Sequence, residues 1–183
     1  LEYYGEMHAI LTQNPDIMVF YNGPKCGASA PDHMHFQAGT SGKVPLQSSW
    51  SRLVRDITVV YALDADNDIS VINSWACPAL LIRSRNAEAD ERLFRCVYNA
   101  LPMYDGDIEP MMNVVSWMSA GQWLTVVFPR RKHRPDCYSA DGDAKMLVSP
   151  GALDMAGLII TPRREDFERL TCCGPVITSP FAI

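Results

Sequence analysis

At 183 residues and 48% hydrophobic, the chain has enough apolar side chains for a compact core and too many for a disordered polymer. Its 16 Lys and Arg against 21 Asp and Glu leave a formal net charge of -5, which argues against a binder of nucleic-acid backbones. No run of about 18 apolar residues occurs, so no membrane-spanning helix is predicted.

The chain opens on Leu1 to His8 without an initiator methionine, in what reads as the middle of a helix, so a missing N-terminal portion is expected. Helical spacing covers residues 2 to 12 and ends at Gln13-Asn14-Pro15-Asp16. Ile17 to Asn22 follows as a short buried strand, and the Gly- and Pro-rich stretch from Gly23 to Asp32 as a loop. That loop delivers the chain into a predicted strand over His33 to Gln37. Two further strands are predicted between Ile57 and Ile72 around the polar turn Asp64 to Asp68, and another at Ala79 to Ile82.

Asn86 to Leu101 reads as a helix. Acidic Glu88, Asp90 and Glu91 come early, Leu93, Phe94, Val97 and Tyr98 recur at helical spacing, and Pro102 lies just beyond its end. Asn113 to Met118 and Trp123 to Pro129, joined by Ser119-Ala120-Gly121-Gln122, form a predicted hairpin. A last strand is expected at Ala156 to Thr161 and a helix at Pro162 to Leu170. Strands and helices segregate rather than alternate strictly, which predicts an α+β fold with a largely antiparallel sheet and flanking helices.

The six cysteines, Cys26, Cys77, Cys96, Cys137, Cys172 and Cys173, show no C-x-x-C pair and no framework spacing. With no signal peptide in view, reduced thiols and a cytoplasmic location are expected; a secreted disulfide protein is the alternative.

Chemistry concentrates at His33-Met34-His35-Phe36-Gln37, where two of the four histidines fall on alternate positions. On a strand, His33, His35 and Gln37 share one face while Met34 and Phe36 turn to a core. A neutral imidazole can attack an electrophile, and an amide beside it can donate to an oxyanion without ionising.

Together with Gly27-Ala28-Ser29 and the polar Asn22 and Lys25, this strand resembles the histidine triad (HIT-like) superfamily. The likeness is to the branch whose motif ends in Gln, which contains galactose-1-phosphate uridylyltransferases, diadenosine tetraphosphate phosphorylases and GDP-hexose phosphorylases. Ser29 precedes His33 by four residues rather than that pattern's three, with Asp32 as the extra one. A second stretch resembles the C-terminal half of the phosphorylases: Asn113 to Trp117, Trp123 to Arg131, and Gly151 to Ile160. The wording of both, with Lys132-His133-Arg134-Pro135, is most similar to an uncharacterised bacterial family of that group.

The resemblance implies a nucleotidyltransferase or phosphorylase acting on a nucleoside diphosphate sugar or a dinucleoside polyphosphate. His35 would form a nucleotidyl-imidazole. Gln37 would donate to a phosphate oxygen and His33 would orient the phosphate. Asn22, Lys25 and Ser29 would line the phosphate cradle. Separately, the basic segment after the hairpin reads as a clamp on phosphate or on the distal part of a substrate, with Arg130 and His133 as its candidates. The resemblance also implies two half-barrel parts, residues 1–56 ending the first half and 57–183 forming the second, in tandem or as a homodimer. A small-molecule nucleotide is the expected partner. No residue demands a cofactor; a divalent cation on the substrate phosphates stays open.

Other readings of the same residues stand beside this one. Gly27, five residues, then His33-x-His35 matches the opening of the cupin metal motif, but the Glu expected four or five positions later is replaced by Gly39 and Thr40. Zinc at Cys26, His33 and His35 lacks paired-cysteine spacing. A nucleotide-binding module without turnover is the non-enzyme alternative. Basic Arg130 to Arg134 also reads as a solvated strand end, His8 as structural, and Trp117 and Trp123 as core fillers. The Asp64, Asp66 and Asp68 series lacks the glycine and final Glu of a calcium loop and reads as a turn.

Overall fold

Ile17-Met18-Val19-Phe20-Tyr21 is apolar at every position because its strand is covered on both faces, as continuous apolar strands generally are. The computed structural model describes residues 3–172, and side chains as far as residue 170. Helix α1 (Tyr4–Gln13) leads to β1 (Ile17–Asn22) and, after a loop, β2 (Phe36–Thr40). Two short helices, α2 (Pro45–Ser48) and α3 (Trp50–Leu53), precede β3 (Ile57–Ala62), β4 (Asp68–Ile72) and β5 (Leu80–Ser84). Helix α4 (Ala87–Ala100), β6 (Met112–Ser119), β7 (Gln122–Pro129), α5 (Ala152–Met155) and α6 (Arg164–Cys172) complete the order.

The strands form one open seven-stranded sheet in the order β2-β1-β6-β7-β5-β4-β3. Every neighbouring pair is antiparallel, so the α+β class with an antiparallel sheet holds. The junction of residues 56 and 57 falls at the start of β3, and strands from both sides of it enter the same sheet.

Side-chain alternation divides the core into two layers. Val19, Tyr21, Val114, Ile82 and Val127 face α1 and α4, where they meet Met7, Leu11, Leu93 and Phe94. Met18, Phe20, Val115, Trp117, Val126 and Phe128 face the opposite way, against Leu46, Leu53, Ala152 and Met155. Each fully buried side chain of this size contributes about 1.5–3 kcal/mol. Trp117 packs edge-on against Trp50, with ring centroids 5.3 Å apart, and so fills the core.

Local signals explain the ends of elements. The Asn86 side chain accepts the Ala89 N–H at 2.8 Å and caps α4. Ala120 and Gly121, with φ of 50° and 70°, supply the left-handed two-residue turn that matches the twist of the β6–β7 hairpin. The Asp64 carboxylate accepts the Asp66 N–H at 2.9 Å and the Asn67 amide at 2.7 Å, closing a turn.

Two expectations are corrected. The strand expected at His33 to Gln37 begins at Phe36, because its partner β1 makes its last pair at Tyr21↔Phe36 and nothing in the sheet pairs with His33 to His35. Ala156 to Thr161 is not a strand. Gly157, at φ +95°, turns the chain after α5, and the segment beyond it pairs with no strand of the sheet. Leu158, Ile159 and Ile160 are exposed there.

His8 is buried under Trp123, with ring centroids 4.8 Å apart, and its Nδ1 lies 3.2 Å from Asp90 Oδ2. Asp90 accepts the Ser84 hydroxyl through its other oxygen. Burial lowers the His8 pKa from 6.5 to about 4 and raises that of Asp90 from 3.8 to about 6. Cys26, Cys77, Cys96 and Cys137 are free thiols; the Cys172 side chain and Cys173 lie outside the described residues. No helix among the described residues is long and apolar enough to cross a membrane.

Candidate functional site

The β1–β6 register sets Asn22 opposite Asn113 where both strands leave the hydrophobic core. Asn22 Oδ1 accepts the backbone N–H of Ala152 at 2.6 Å. A backbone N–H can only donate, so this contact fixes which end of the Asn22 amide is oxygen. The same oxygen accepts Asn113 Nδ2 at 2.8 Å. Asn22 Nδ2 must then donate, and it does so to Gln37 Oε1 at 3.2 Å. Gln37 is thereby held with its carbonyl oxygen toward Asn22, which leaves its NH2 group for a ligand.

Behind Asn113 stands Arg130, only 7% exposed. Its Nη1 donates to Asn113 Oδ1 at 2.6 Å and to the Pro150 carbonyl at 2.9 Å. Its Nη2 reaches the carbonyls of Lys132 and His133 at 3.2 and 3.3 Å. Asn113 also donates to the Cys26 carbonyl at 2.7 Å. A guanidinium, two asparagines and a glutamine thus form one directed chain of hydrogen bonds from the residue after β7 across β6, β1 and β2.

Gln37 faces an open cleft of about 240 Å³, lined also by Phe20, Asn22, Ser29, Ser149 and Asp154. Gly27 and Gly151 set its floor. At φ +83°, Gly27 sits so close to the neighbouring segment that a Cβ would lie 2.6 Å from the Pro150 oxygen and 2.8 Å from the Gly151 Cα. A Cβ on Gly151 would in turn lie 3.0 Å from Asn22 Oδ1. Glycine at both positions lets the loop after β1 and the start of α5 approach each other.

Residues 1–40 match the family model described as a domain of unknown function, DUF4922. The match runs from α1 through β2 and includes Asn22, Ser29, His33, His35 and Gln37. The crystal structure of a DUF4931 family protein from Bacillus cereus ATCC 10987 is similar to this chain at a TM-score of 0.48 with 15% identity, over 84% of this chain and 73% of that one. No curated protein matches the chain.

Of the predicted site residues, Asn22, Ser29 and Gln37 come together at the cleft. His33 and His35 are in the segment just before β2, with ring centroids 5.3 Å apart. His35 Nδ1 lies 3.3 Å from the His33 carbonyl. Since a carbonyl only accepts, this contact favours a proton on Nδ1 and leaves the lone pair on Nε2. His33 Nδ1 lies 3.2 Å from Asp32 Oδ1 in solvent. Phe36 and the exposed Met34 border a crevice with Tyr21 on the α1 side of the sheet.

Five predicted residues stand apart from the cleft lining: His33 and His35 before β2, and Lys25, Arg130 and His133. Lys25 pairs with Asp107 and borders a separate small crevice. Arg130 is a buried positioning group rather than a clamp open to ligand. His133 sits beside it, its pKa lowered by partial burial and by the charges of Arg134 and Arg130. Among the described residues no group of three or more His, Cys, Asp and Glu is placed to hold a metal. Asn113, Gly151 and Asp154 belong to the site and were missed as site residues; a polar Asn opening an otherwise apolar strand was the signal for the first.

Proposed function

We propose that this chain carries the nucleotide-transfer site of a histidine triad enzyme of the Gln-ending branch, a nucleotidyltransferase or phosphorylase working through His35. In the first step His35 Nε2 attacks the α-phosphorus, an N–P bond forms, and the bond from that phosphorus to the bridging oxygen breaks. The leaving phosphate ester departs with the bond's electron pair. In the second step an oxygen nucleophile, from phosphate, water or a sugar phosphate, attacks the same phosphorus and returns the electron pair to His35.

The observation that carries this reading is the fixed orientation of Gln37. A neutral donor held by Asn22 is what a developing phosphate charge needs, because the amide stabilises the oxyanion without reorganising. The contact between His35 Nδ1 and the His33 carbonyl supports Nε2 as the attacking atom.

Turnover tests the reading. Nucleoside diphosphate hexoses and diadenosine tetraphosphate are incubated with the protein and inorganic phosphate, and product nucleotides are resolved by chromatography. The expected result is product from at least one substrate, lost in His35→Ala. Full activity in that variant contradicts the proposal.

A further inference from the structure

We infer that the β3 edge of the sheet is an interface between two copies of this chain, whose β3 strands pair antiparallel about a two-fold axis lying between Val59 and Val60. The inference goes beyond the proposed function and does not depend on it.

Exposure is the first argument. β3 forms one edge of the sheet and pairs with β4 alone. Val59, Val60 and Tyr61 are 51%, 56% and 41% exposed, and Thr58 and Ala62 are exposed beside them, whereas β4 is buried at every position except Val71. Successive residues of a strand point to opposite faces, so three exposed apolar neighbours leave both faces of β3 uncovered. Edges that stay single are commonly blunted by charged residues or proline. Ile57-Thr58-Val59-Val60-Tyr61-Ala62 has neither and consists, apart from Ala62, of residue types that favour strands.

Backbone direction is the second argument. The Asp56 carbonyl accepts the Asn73 N–H at 3.0 Å, and Leu63 donates its N–H to the Asn67 carbonyl at 2.9 Å, so both residues turn their polar groups toward the β4 side. Alternation then turns those of Ile57 and Ala62 to the open edge. Asp56 and Leu63 are an odd number of positions apart, which a regular strand does not allow. The register shift between Val59 and Tyr61, where Val60 has no partner on β4, supplies the extra residue. A second β3 laid antiparallel meets this edge with Ile57 opposite Ala62, Thr58 opposite Tyr61 and Val59 opposite Val60. The outward groups at both ends then find partners, and the two bulges coincide at the axis. An edge that complements itself in this way closes a dimer, whereas pairing β3 with the β2 edge of another copy would continue into a filament.

Charge is the third argument. The same register brings Arg55 opposite Asp64 of the second copy, twice by symmetry. Arg55 is exposed, donates its Nε to the Ser51 carbonyl at 3.0 Å and has no carboxylate partner among the described residues. Asp64 accepts from the Asp66 N–H and the Asn67 amide and has no cation partner there. Exposed pairs of this kind add little affinity but select the register. β1 and β6, from either side of the junction of residues 56 and 57, already pair within one chain, so a contact at β3 is additional to theirs.

Sedimentation velocity of the whole chain tests this, from dilute solution up to roughly 0.1 mM, a range that brackets micromolar dissociation constants, with deuterium exchange followed at both ends. A monomer–dimer equilibrium is expected, with slower exchange at β3 in the concentrated sample. Val60→Lys is expected to weaken the dimer by roughly tenfold or more, because two lysines meet at the axis, and to leave the melt of the dilute protein unchanged. Arg55→Glu is expected to weaken it less, and least at high salt. If Val60→Lys gives no cooperative melt, the exchange of the wild type decides. A monomer at every concentration overturns the inference, as does a dimer whose β3 exchange does not slow or which persists undiminished in a folded Val60→Lys. Species growing beyond the dimer overturn it too, since they mark the head-to-tail pairing of β3 with β2.

Discussion

Asn22 donates to Gln37 across the β1–β2 pair at 3.2 Å, and its direction is dictated from 130 residues away by the N–H of Ala152. The substitution that isolates this relationship is Asn22→Asp. An aspartate still accepts from Ala152 and Asn113 but has nothing to donate, so Gln37 turns its NH2 inward to the new carboxylate and offers its oxygen to the ligand. Nucleotidyl transfer is expected to fall by roughly 10²–10³-fold, the scale of losing one oxyanion donor. Rates measured alongside a thermal melt check this; an unchanged rate with an unchanged melt contradicts the role of Asn22.

Gly27 joins the loop after β1 to the segment before α5. Gly27→Ala places a methyl at a positive φ and within 2.6 Å of a backbone oxygen that has little freedom to move. Destabilisation of about 3 kcal/mol is expected from strain and displaced backbone together. Urea denaturation reads it directly, and a midpoint equal to wild type contradicts the packing described.

The hairpin turn offers a test of opposite sign. Ala120 adopts φ 50°, which a Cβ disfavours, so Ala120→Gly or Ala120→Asn is expected to stabilise by about 0.5–1 kcal/mol. A shift of the denaturation midpoint toward lower urea contradicts the turn assignment.

His8 and Asp90 make opposed contributions to pH dependence. His8 falls from 6.5 to about 4, so between those values the unfolded chain binds more protons there and stability drops as pH falls. Asp90 rises from 3.8 to about 6, so across that window the native state binds more protons and stability drops as pH rises. The two nearly cancel between pH 4 and 6. Asp90→Asn removes one term: relative to wild type, the variant is expected to lose on the order of 2 kcal/mol as pH falls from 6.5 to 4. Parallel stability curves for variant and wild type contradict the raised Asp90 pKa.

Elements set by local composition were legible in the sequence. The apolar run Ile17 to Asn22 matches β1 at both ends, and the acidic start and following Pro102 of α4 bracket it within a residue. The hairpin was legible from two apolar runs around Ala120-Gly121. Errors arose where tertiary pairing decides. His33 to His35 alternate like a strand, but the β1–β2 ladder ends at Tyr21↔Phe36. Leu158 to Ile160 are apolar enough for a strand, yet the chain turns at Gly157 and no strand of the sheet pairs with them. The short helices α2 and α3 went unpredicted because a single turn has no period to read. The chain through Asn113 and Arg130 depends on contacts 17 to 91 residues apart, which no local pattern announces.

The most direct test of the central claim is the intact mass of the protein after brief mixing with UDP-glucose, GDP-mannose, ADP-glucose or diadenosine tetraphosphate, wild type beside His35→Ala. An acid-labile gain of one nucleoside monophosphate on the wild type alone is the predicted result. The same gain on His35→Ala, or an adduct that survives acid, contradicts a phosphoramidate at His35.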